Sequence, residues 1–333
     1  MSQIVPLQLG SLKLSSNILY APLAGCTDFP FRQMALRERP GLFFCEMVKM
    51  DALVRQDRGT FKLLDYSADM HPIGAQLCGS KVTFATESAR MLESMGFDSI
   101  DFNCGCPVDK VTKDGCGSAM LKTPEKIGEI LSTMVAAVRI PVTVKIRVGW
   151  DEDSVIGPKV VRIAEEAGAV AITVHGRTRK QAYRGKADRQ RIKDCVDAAK
   201  NIKVIGNGDI FDAPSALSMI DETGCDGVLV ARGMLGQPWI AEDITLLDQG
   251  KEPVSKSIDE RRKALLLHMD LLEGYYPERR VIIDMRRIGC WYFNKSAKTR
   301  KFRKSISESS SAKEIRSLVE NFSFEEELDE NAS

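Results

Sequence analysis

The sequence predicts an α/β protein in which a (β/α)8 TIM barrel is followed by a smaller C-terminal all-α helical domain. Short apolar runs alternate with helical patterns from residue 18 to about residue 240, whereas only helical patterns continue after residue 250. The 333 residues suffice for one barrel and a smaller second domain. We therefore expect a barrel at residues 1–245, a helical domain at residues 246–322 and a disordered acidic tail at residues 323–333.

The predicted strands are short runs that are mostly apolar on both faces, as expected for a parallel sheet covered by helices. They are Ile18–Ala24, Leu42–Met47, Pro72–Leu77, Ser99–Asn103, Val142–Val148, Ala169–His175, Lys203–Gly206 and Gly227–Ala231. Eight strands that alternate with helices favour a closed barrel, and an open doubly wound sheet is the alternative.

The helices between these runs have recognisable ends. Thr123 followed by Pro124 predicts an N-cap and a proline at the first position of a helix whose apolar residues repeat at helical spacing. Gly96, Gly168 and Gly224 each follow a helical pattern and are placed to end it. These signals support the alternation of strands and helices.

The overall composition is that of an ordinary globular protein. The apolar fraction is 44%, the charged fraction is 28% and the formal net charge is +1, so total charge does not indicate an anionic partner. The N-terminus lacks a signal-peptide pattern, and no apolar run reaches the roughly 18 residues of a membrane span. Nine cysteines in such a chain indicate a reducing compartment. We expect a cytoplasmic monomer without membrane attachment.

The stretch NCGCPVDKVTKDGCGSAML, residues 103–121, contains Cys104, Cys106 and Cys116. A metal site is disfavoured, because the C-x2-C pairing of zinc sites is missing and no histidine lies nearby. A disulfide framework is disfavoured in a reducing compartment. A single reactive thiol remains possible, and the position of each cysteine in the fold must identify it.

The ends of the predicted strands indicate a ligand site, because the active site of a barrel lies at the C-terminal ends of its strands. Gln76, Lys145 and His175 end otherwise apolar runs, where their burial is costly unless a polar ligand fills the mouth. The loops Asn207–Asp209 and Ala231–Gly233 follow the seventh and eighth strands, where barrels bind phosphate. Lysine and glutamine beside a planar ring suit a flavin. No G-x-G-x-x-G motif follows the first strand, so a Rossmann nicotinamide domain is not indicated.

Six segments together resemble the tRNA-dihydrouridine synthase family, with the closest similarity to its bacterial B-type members. They are APLAGCTDFPFR, NCGCPVDKVTKDGCGSAML, VKIRVGW, VHGRTRKQAYRGKAD, GNGDI and VARGMLGQPWI. The similarity is strong over residues 10 to 245 and is one of pattern only in the remainder. The N-x-G-C-P-x3-V run followed by H-G-R-T-R is highly specific.

The resemblance implies an FMN-containing barrel that reduces particular uridines in tRNA, with NADPH or NADH as the reductant. Hydride would pass from the flavin N5 to uracil C6, and Cys106 would donate a proton to C5. A thiol with an ordinary pKa of about 8.5 is mostly protonated at neutral pH and can act as a general acid. Cys104 and Cys116 are then bystanders, and no metal is required.

The family's site residues can be carried over position by position. Those that hold the cofactor correspond to Pro22, Leu23, Ala24, Gln76, Lys145, His175, Asn207, Gly208, Asp209, Ala231 and Arg232. Those near the substrate uracil correspond to Asn103, Arg147 and Arg177. The chain departs from the family pattern at Leu23, where methionine is common, at Ala231, where glycine is common, and at Arg189, where tryptophan is usual. The last departure leaves open how the loop after the sixth strand packs.

The C-terminal half carries a local excess of positive charge. Residues 278–304 contain ten basic and two acidic residues, with Trp291, Tyr292 and Phe293 between them. Such a run is a solvated helix face or a surface for RNA, and the resemblance favours a tRNA-binding domain. Two alternatives remain: an FMN barrel that oxidises or reduces a free pyrimidine, of the dihydroorotate dehydrogenase type, and a barrel that binds RNA without catalysis. The sequence does not specify which uridine would be modified.

Overall fold

The predicted barrel is present, and the eight predicted runs each form one of its strands. The computed structural model describes residues 2–293 and 297–323. Its strands are β1 (Leu7–Leu9), β2 (Leu12–Leu14), β3 (Ile18–Tyr20), β4 (Leu42–Phe44), β5 (Val48–Lys49), β6 (Ile73–Cys78), β7 (Ser99–Cys104), β8 (Val142–Arg147), β9 (Ala171–His175), β10 (Lys203–Asn207) and β11 (Gly227–Val230). All strands except β1, β2 and β5 belong to the eight-stranded barrel.

The barrel is closed and parallel, which excludes the open doubly wound sheet. Its first strand β3 pairs with both β4 and β11, and in the latter pair Ile18 lies opposite Val228. The strand β4 pairs with β6, and the remaining strands pair in chain order from β6 to β11. The short strand β5 extends β6, and β1 and β2 form a separate antiparallel hairpin.

The helices lie between and after the strands. They are α1 (Phe29–Leu36), α2 (Met50–Val54), α3 (Arg58–Leu63), α4 (Ala85–Ser94), α5 (Asp109–Thr112), α6 (Pro124–Ala137), α7 (Gly157–Glu166), α8 (Arg189–Ala198), α9 (Ala213–Thr223), α10 (Ile240–Asp248), α11 (Ile258–Tyr275), α12 (Glu278–Ile288), α13 (Ala297–Glu308) and α14 (Ala312–Asn321). Helix α6 begins at Pro124 as predicted, but the Thr123 side chain makes no capping hydrogen bond. Gly224 ends α9 in the left-handed conformation, at φ +69°.

Four strands end before their predicted carboxyl ends: β8 and β11 by one residue each, and β3 and β4 by several residues. The strand β3 ends at Tyr20 and not at Ala24, because Pro22 has no amide hydrogen for a ladder and the following residues form a turn. In that turn the Thr27 hydroxyl accepts a hydrogen bond from the Leu23 amide at 2.9 Å. The strand β4 ends at Phe44. The residues beyond β3 and β4 therefore become loops at the mouth of the barrel.

The β1–β2 hairpin closes the N-terminal end of the barrel. Leu7, Leu9 and Leu14 are buried in one apolar cluster that includes Leu42 and Ala171, the first residues of β4 and β9. This burial removes apolar surface at the base of the barrel from water. A ligand can therefore reach the barrel interior from the opposite end, where the carboxyl ends of the strands lie.

The chain divides into two compact units, residues 1–234 with 239–253 and residues 235–238 with 254–333. The second unit contains helices α11 to α14, and α11 begins with a reciprocal cap between Ser257 and Glu260. The roles expected for the two domains remain predictions, and residues 324–333 of the expected disordered tail lie outside the described residues. Within the described residues, no helix is both long and apolar enough to cross a lipid bilayer.

Two of the aromatic residues within the basic residues 278–304 belong to the core of the helical unit. Tyr292 is fully buried, and its hydroxyl lies 2.9 Å from Nδ1 of His268. Phe293 is buried against Phe302, with ring centroids 5.2 Å apart. These two rings are therefore not available to stack with RNA bases. Burial lowers the pKa of His268 to about 3, so this imidazole is neutral and belongs to the core of the helical unit.

Candidate active site

A cavity lined by both polar and apolar residues lies at the mouth of the barrel and spans about 860 Å³, including the open space at its entrance. Its lining residues lie at the carboxyl ends of the barrel strands or in the loops that follow them. Of the predicted site residues, the lining includes Pro22, Leu23, Gln76, Asn103, Cys106, Lys145, Arg147, His175, Asn207, Gly208, Asp209, Ala231 and Arg232. Ala24 and Arg177 are not among the lining residues of this cavity.

The three cysteines of residues 103–121 occupy different environments. Cys106 is partly exposed and lines the cavity, whereas Cys104 and Cys116 are buried. Burial raises the pKa of the Cys104 thiol. A hydrogen bond with Cys78 is the main cause that lowers the pKa of Cys116 to about 6, but this thiol lines another cavity. In the described part of the chain, no group of three or more histidine, cysteine or acidic residues is arranged to hold a metal ion.

The backbone around Cys106 is held from both sides. The Oδ1 atom of Asn103 accepts hydrogen bonds from the Cys106 amide at 2.9 Å and from the Gly105 amide at 3.2 Å. Ser118 donates from its amide and its hydroxyl to the Cys106 carbonyl. Arg147 donates from Nε to the Gly105 carbonyl at 3.1 Å. These bonds orient the turn that presents the Cys106 side chain to the cavity.

Polar side chains continue below the mouth, inside the barrel. Gln76 is buried, and its side-chain oxygen accepts a hydrogen bond from Asn103 at 2.8 Å. Its nitrogen donates to Asp101 at 2.7 Å, and the Thr143 hydroxyl donates to the same carboxylate at 2.7 Å. Burial raises the pKa of Asp101 to about 6, although both hydrogen bonds oppose this shift. Sequence reasoning did not identify Asp101, which lies in the middle of the predicted strand and not at its carboxyl end, where site residues were expected.

The lining of the cavity contains both a cation, Lys145, and a neutral imidazole, His175. Lys145 donates from Nζ to Oδ1 of Asn207 at 2.9 Å. Burial lowers the pKa of Lys145 to about 8, and the positive charge of Arg147 adds to this effect. Burial, followed by the charge of Lys145, holds the pKa of His175 well below its ordinary value, so this imidazole is neutral at physiological pH. The Nε2 atom of His175 is buried and makes no hydrogen bond within the protein.

The loop after β10 adopts a conformation that L-amino acids rarely use. Gly208 has φ +121°, and a Cβ added there would lie 2.6 Å from Cβ of Ala187 and 2.9 Å from Cδ2 of His175. Only glycine therefore fits at this position. Asp209 follows at φ +54°, and its carboxylate accepts hydrogen bonds from Arg177 and from the Ala187 amide. The backbone of this loop consequently lies close to the cavity.

Arg177 is buried and its contacts lie within the protein. Nη1 and Nη2 each lie 2.7 Å from an oxygen of Asp209, and Nε donates to the Arg184 carbonyl at 3.2 Å. Arg177 thus joins the loops that follow β9 and β10. The predicted contact of Arg177 with a substrate remains a prediction, and the observed contacts favour a role in holding Asp209.

Aromatic residues at the entrance were missed by sequence reasoning. The guanidinium carbon of Arg232 lies 4.5 Å from the ring centroid of Tyr183 and 5.2 Å from that of Phe211. Both rings are largely exposed and line the cavity. Tyr183, Phe211 and Arg232 follow β9, β10 and β11, so their approach depends on the pairing of these three neighbouring strands. The one signal that could have identified these two rings is that their loops also carry predicted site residues.

Arg189, which stands where tryptophan was expected, packs through polar contacts. As the first residue of α8, it donates to the Ser218 hydroxyl and forms an ion pair with Glu222, both on α9. The preceding residue, Asp188, caps α8 by accepting a hydrogen bond from the Arg191 amide at 3.3 Å. The loop after β9 is therefore anchored at its C-terminal end by contacts between α8 and α9.

The fold and the site together define a (β/α)8-barrel protein with a cavity at the carboxyl ends of its strands that is lined by charged, polar and apolar residues. The family model described as dihydrouridine synthase matches residues 19–330, and the chain belongs to this family. The resemblance inferred from the six sequence segments is thus confirmed.

Similar proteins cover nearly the whole chain. A probable tRNA-dihydrouridine synthase of Rickettsia bellii (strain RML369-C) is 36% identical over 302 residues, which span 90% of this chain and 92% of that protein. The tRNA-dihydrouridine synthase B of Xanthomonas axonopodis pv. citri (strain 306) is 35% identical over 298 residues, which span 89% and 90% of the two chains.

The fold also resembles that of a solved structure, the histamine dehydrogenase from Rhizobium sp. 4-9. The TM-score is 0.56 at 12% sequence identity, and the match covers 80% of this chain and 50% of that chain. At this identity the likeness concerns the fold alone, and it agrees with the barrel described above.

Proposed function

We propose that the protein is an FMN-dependent tRNA-dihydrouridine synthase that reduces the C5–C6 double bond of specific uridines in tRNA, with NADPH or NADH as the reductant. The observation that carries this proposal is that Cys106 shares one cavity with Gln76, Lys145, His175 and Arg232. Membership of the dihydrouridine synthase family and the names of the relatives support it.

The residues of the cavity fit a flavin mononucleotide. The buried Nε2 atom of His175 has no partner in the protein, and such atoms nearly always have one, which indicates a polar ligand atom. Gly208 and Arg232 would hold the phosphate, the first by close approach of its backbone and the second by its charge.

Bound FMN, once reduced by NADPH or NADH, would supply the hydride that passes from N5 to uracil C6. The Cys106 thiol supplies the proton for C5, so that one hydride and one proton saturate the double bond. The thiolate left behind is protonated again from solvent through the open entrance. The bonds from Asn103 and Ser118 to the backbone of Cys106 keep the thiol directed into the cavity.

Lys145 and Arg147 provide positive charge beside the reacting ring. With a pKa of about 8, Lys145 is mostly protonated at neutral pH and can stabilise negative charge that develops next to it. Arg147 uses Nε and Nη1 to hold the carbonyls of Gly105 and Thr178, so we assign Nη2 to the substrate base. The target uridine must leave its base stack to reach these groups.

The helical unit presents a surface suited to phosphate groups. Helix α13 exposes Arg300, Lys301, Arg303 and Lys304, while Phe302 and Ile306 of the same helix are buried. Such a cationic surface binds nucleic acid by releasing counterions. It would serve to hold tRNA, and it has no evident purpose in an enzyme that acts on a free pyrimidine. The partly exposed Cys106 thiol, in one cavity with Lys145 and His175, likewise disfavours a barrel that only binds RNA.

The test is the activity of the purified protein. We expect a yellow protein that releases FMN on denaturation and forms dihydrouridine in unmodified tRNA transcripts when NADPH is supplied, as quantified by mass spectrometry of nucleosides. Uridine and orotate serve as competing substrates. Recovery of FAD, or of no flavin after reconstitution, would overturn the cofactor assignment. Turnover of a free pyrimidine without turnover of tRNA would favour the dihydroorotate dehydrogenase type.

A further inference from the structure

The hydrogen bonds beneath the cavity form a continuous chain from the barrel interior to Cys106. Strand pairing places Gln76, Asp101 and Thr143 side by side across β6, β7 and β8. Asn103 lies two residues after Asp101 on β7, so the two side chains point to the same face of the sheet. The chain of bonds runs from Asp101 through Gln76 and Asn103 to the amide of Cys106.

Each bond in this chain has a defined direction, because its two ends cannot exchange roles. The carboxylate of Asp101 only accepts, so the amide nitrogen of Gln76 must face it. The oxygen of Gln76 then faces Asn103, whose nitrogen donates. The oxygen of Asn103 is left for the amides of Gly105 and Cys106, which only donate.

We propose that Asp101 is a positioning residue, whose carboxylate fixes the amide orientations of Gln76 and Asn103 and thereby the turn that carries Cys106. Asp101 lies in the core of the barrel, with 4% of its surface exposed, and acts only through these neighbours. The proposal rests on the proposed function for the reaction of Cys106, but the position of the turn can be measured independently of turnover.

The cost of burying a carboxylate supports a specific role. A buried acidic group is unfavourable unless it is hydrogen-bonded, and an apolar residue would fill the same space without this cost. Both oxygens of Asp101 are used, one by Thr143 and one by Gln76. Hydrogen bonds to a charged acceptor are stronger than those to a neutral one, so Asp101 restrains Gln76 more firmly than a neutral residue would.

Two substitutions at the same carboxylate separate positioning from general stability. Asp101→Leu removes the acceptor that orients Gln76, whereas Thr143→Val removes the other donor and leaves Gln76 in place. In the purified protein, exchange of the amide hydrogens of Gly105 and Cys106 should accelerate about tenfold in Asp101→Leu and stay nearly unchanged in Thr143→Val. The rate at which iodoacetamide alkylates Cys106, measured by mass spectrometry, should change in Asp101→Leu and not in Thr143→Val.

Moving the carboxylate from position 101 to position 76 provides a rescue experiment. In Gln76→Glu two carboxylates face each other, and the turn should loosen. In the double variant Gln76→Glu with Asp101→Asn, the new asparagine can accept from Thr143 and donate to Glu at position 76, which still accepts from Asn103. Amide exchange should then return toward that of the unmodified protein. This comparison decides the question even if Asp101→Leu does not fold.

The kinetic readout follows from the proposed function. Displacing a reacting group by about 1 Å can cost roughly a hundredfold in rate, so reoxidation of the reduced protein by tRNA should slow in Asp101→Leu. Reduction by NADPH should change little. Equal loosening in Asp101→Leu and Thr143→Val, or a double variant no better than Gln76→Glu alone, would show that Asp101 is merely structural. If the protein without substitutions does not turn over tRNA, the proposed function is refuted. The result of the amide exchange experiment does not depend on that outcome.

Discussion

The main-chain carbonyl of Cys106 accepts two hydrogen bonds from Ser118, one from the amide at 3.0 Å and one from the hydroxyl at 2.9 Å. The two residues enclose the loop that contains helix α5 and its charged side chains. Because Asn103 holds the amide of Cys106, this residue is restrained on both sides of its Cα atom. The loop can thus vary in conformation without displacing the thiol.

Replacing Ser118 by alanine removes one of these bonds and leaves the amide bond intact. We expect the unfolding free energy to fall by about 1 kcal/mol, because a hydrogen bond that involves a partly buried group is lost. Turnover of tRNA should fall more than this destabilisation implies, since the thiol becomes less well oriented. Steady-state assays and urea denaturation measure the two effects. Ser132→Ala, on the exposed face of α6, is the control and should alter neither.

Cys106→Ala should separate the two halves of the reaction. The variant should retain FMN and accept hydride from NADPH, while dihydrouridine formation falls by about 10²–10⁴-fold, the usual contribution of a general acid. Stopped-flow absorbance follows the flavin, and nucleoside mass spectrometry follows the product. Cys290→Ala, at a partly exposed position in the other unit, and Cys104→Ala are controls that should keep most activity. A fully active Cys106→Ala would assign the proton to another group.

Lys145 should make stability depend on pH in a direction opposite to that of most lysines. Its pKa in the folded protein is lowered to about 8, mainly by burial, whereas an unfolded lysine has a pKa of about 10.4. Between these values the unfolded chain binds more protons, so the contribution of Lys145 to stability rises with pH and is lost as pH falls toward 8. Urea unfolding of the flavin-free protein should show this rise relative to Lys145→Met.

The control for this pH effect is Lys49. A hydrogen bond to Asp114 raises the pKa of Lys49, so its contribution to stability is present at neutral pH and declines as pH rises. Lys49→Met should therefore give a pH-dependent difference of the opposite sign. The same sign for both variants would contradict the environment assigned to Lys145.

Arg177→Lys tests whether this arginine contacts substrate or supports the cofactor site. Lysine cannot form the two parallel bonds that Arg177 makes with Asp209, so the loop after β10 should loosen. We expect faster loss of FMN, measured by fluorescence, and an unchanged KM for tRNA at saturating FMN. A raised KM with normal FMN retention would instead support the contact with substrate implied by the family resemblance.

Charge reversal on α13 should weaken the salt dependence of tRNA binding. Each contact with a phosphate contributes roughly one unit to the slope of log affinity against log salt, so Arg300→Glu should reduce the slope by about one. Filter binding over a series of salt concentrations measures the slope. Arg90→Glu, on the exposed face of α4, makes the same change in net charge and should leave the slope unaltered. Equal effects of both variants would indicate that only total charge matters.

The barrel and most of the cavity lining could be predicted, because both depend on local pattern. Apolar runs define strands, and the carboxyl ends of parallel strands meet at one mouth, so Gln76, Lys145 and His175 could be placed together without coordinates. The site of Cys106 at the end of β7 followed in the same way.

Contacts made by the loops could not be predicted. Ser118 and Cys106 meet when the loop between β7 and α6 folds back on itself. Arg232 meets its two aromatic neighbours only when β9, β10 and β11 pair, and spacing along the chain carries no signal in either case. Arg177 shows that the partner of a charged side chain could not be predicted either. The family resemblance placed Arg177 near the substrate uracil, but a nearby carboxylate, Asp209, takes up its guanidinium. Which partner a charged group finds depends on geometry that residue type does not encode.

The pairing of Ile18 with Val228 has a consequence for synthesis of the protein on the ribosome. The first barrel strand is made early, yet one of its edges stays without a neighbour until the last strand emerges. Contacts of such long sequence separation form slowly, and unpaired strand edges invite association with other chains. A nascent chain that stalls before residue 227 would therefore expose an open parallel sheet, and we expect chaperones to bind it until β11 completes the ring.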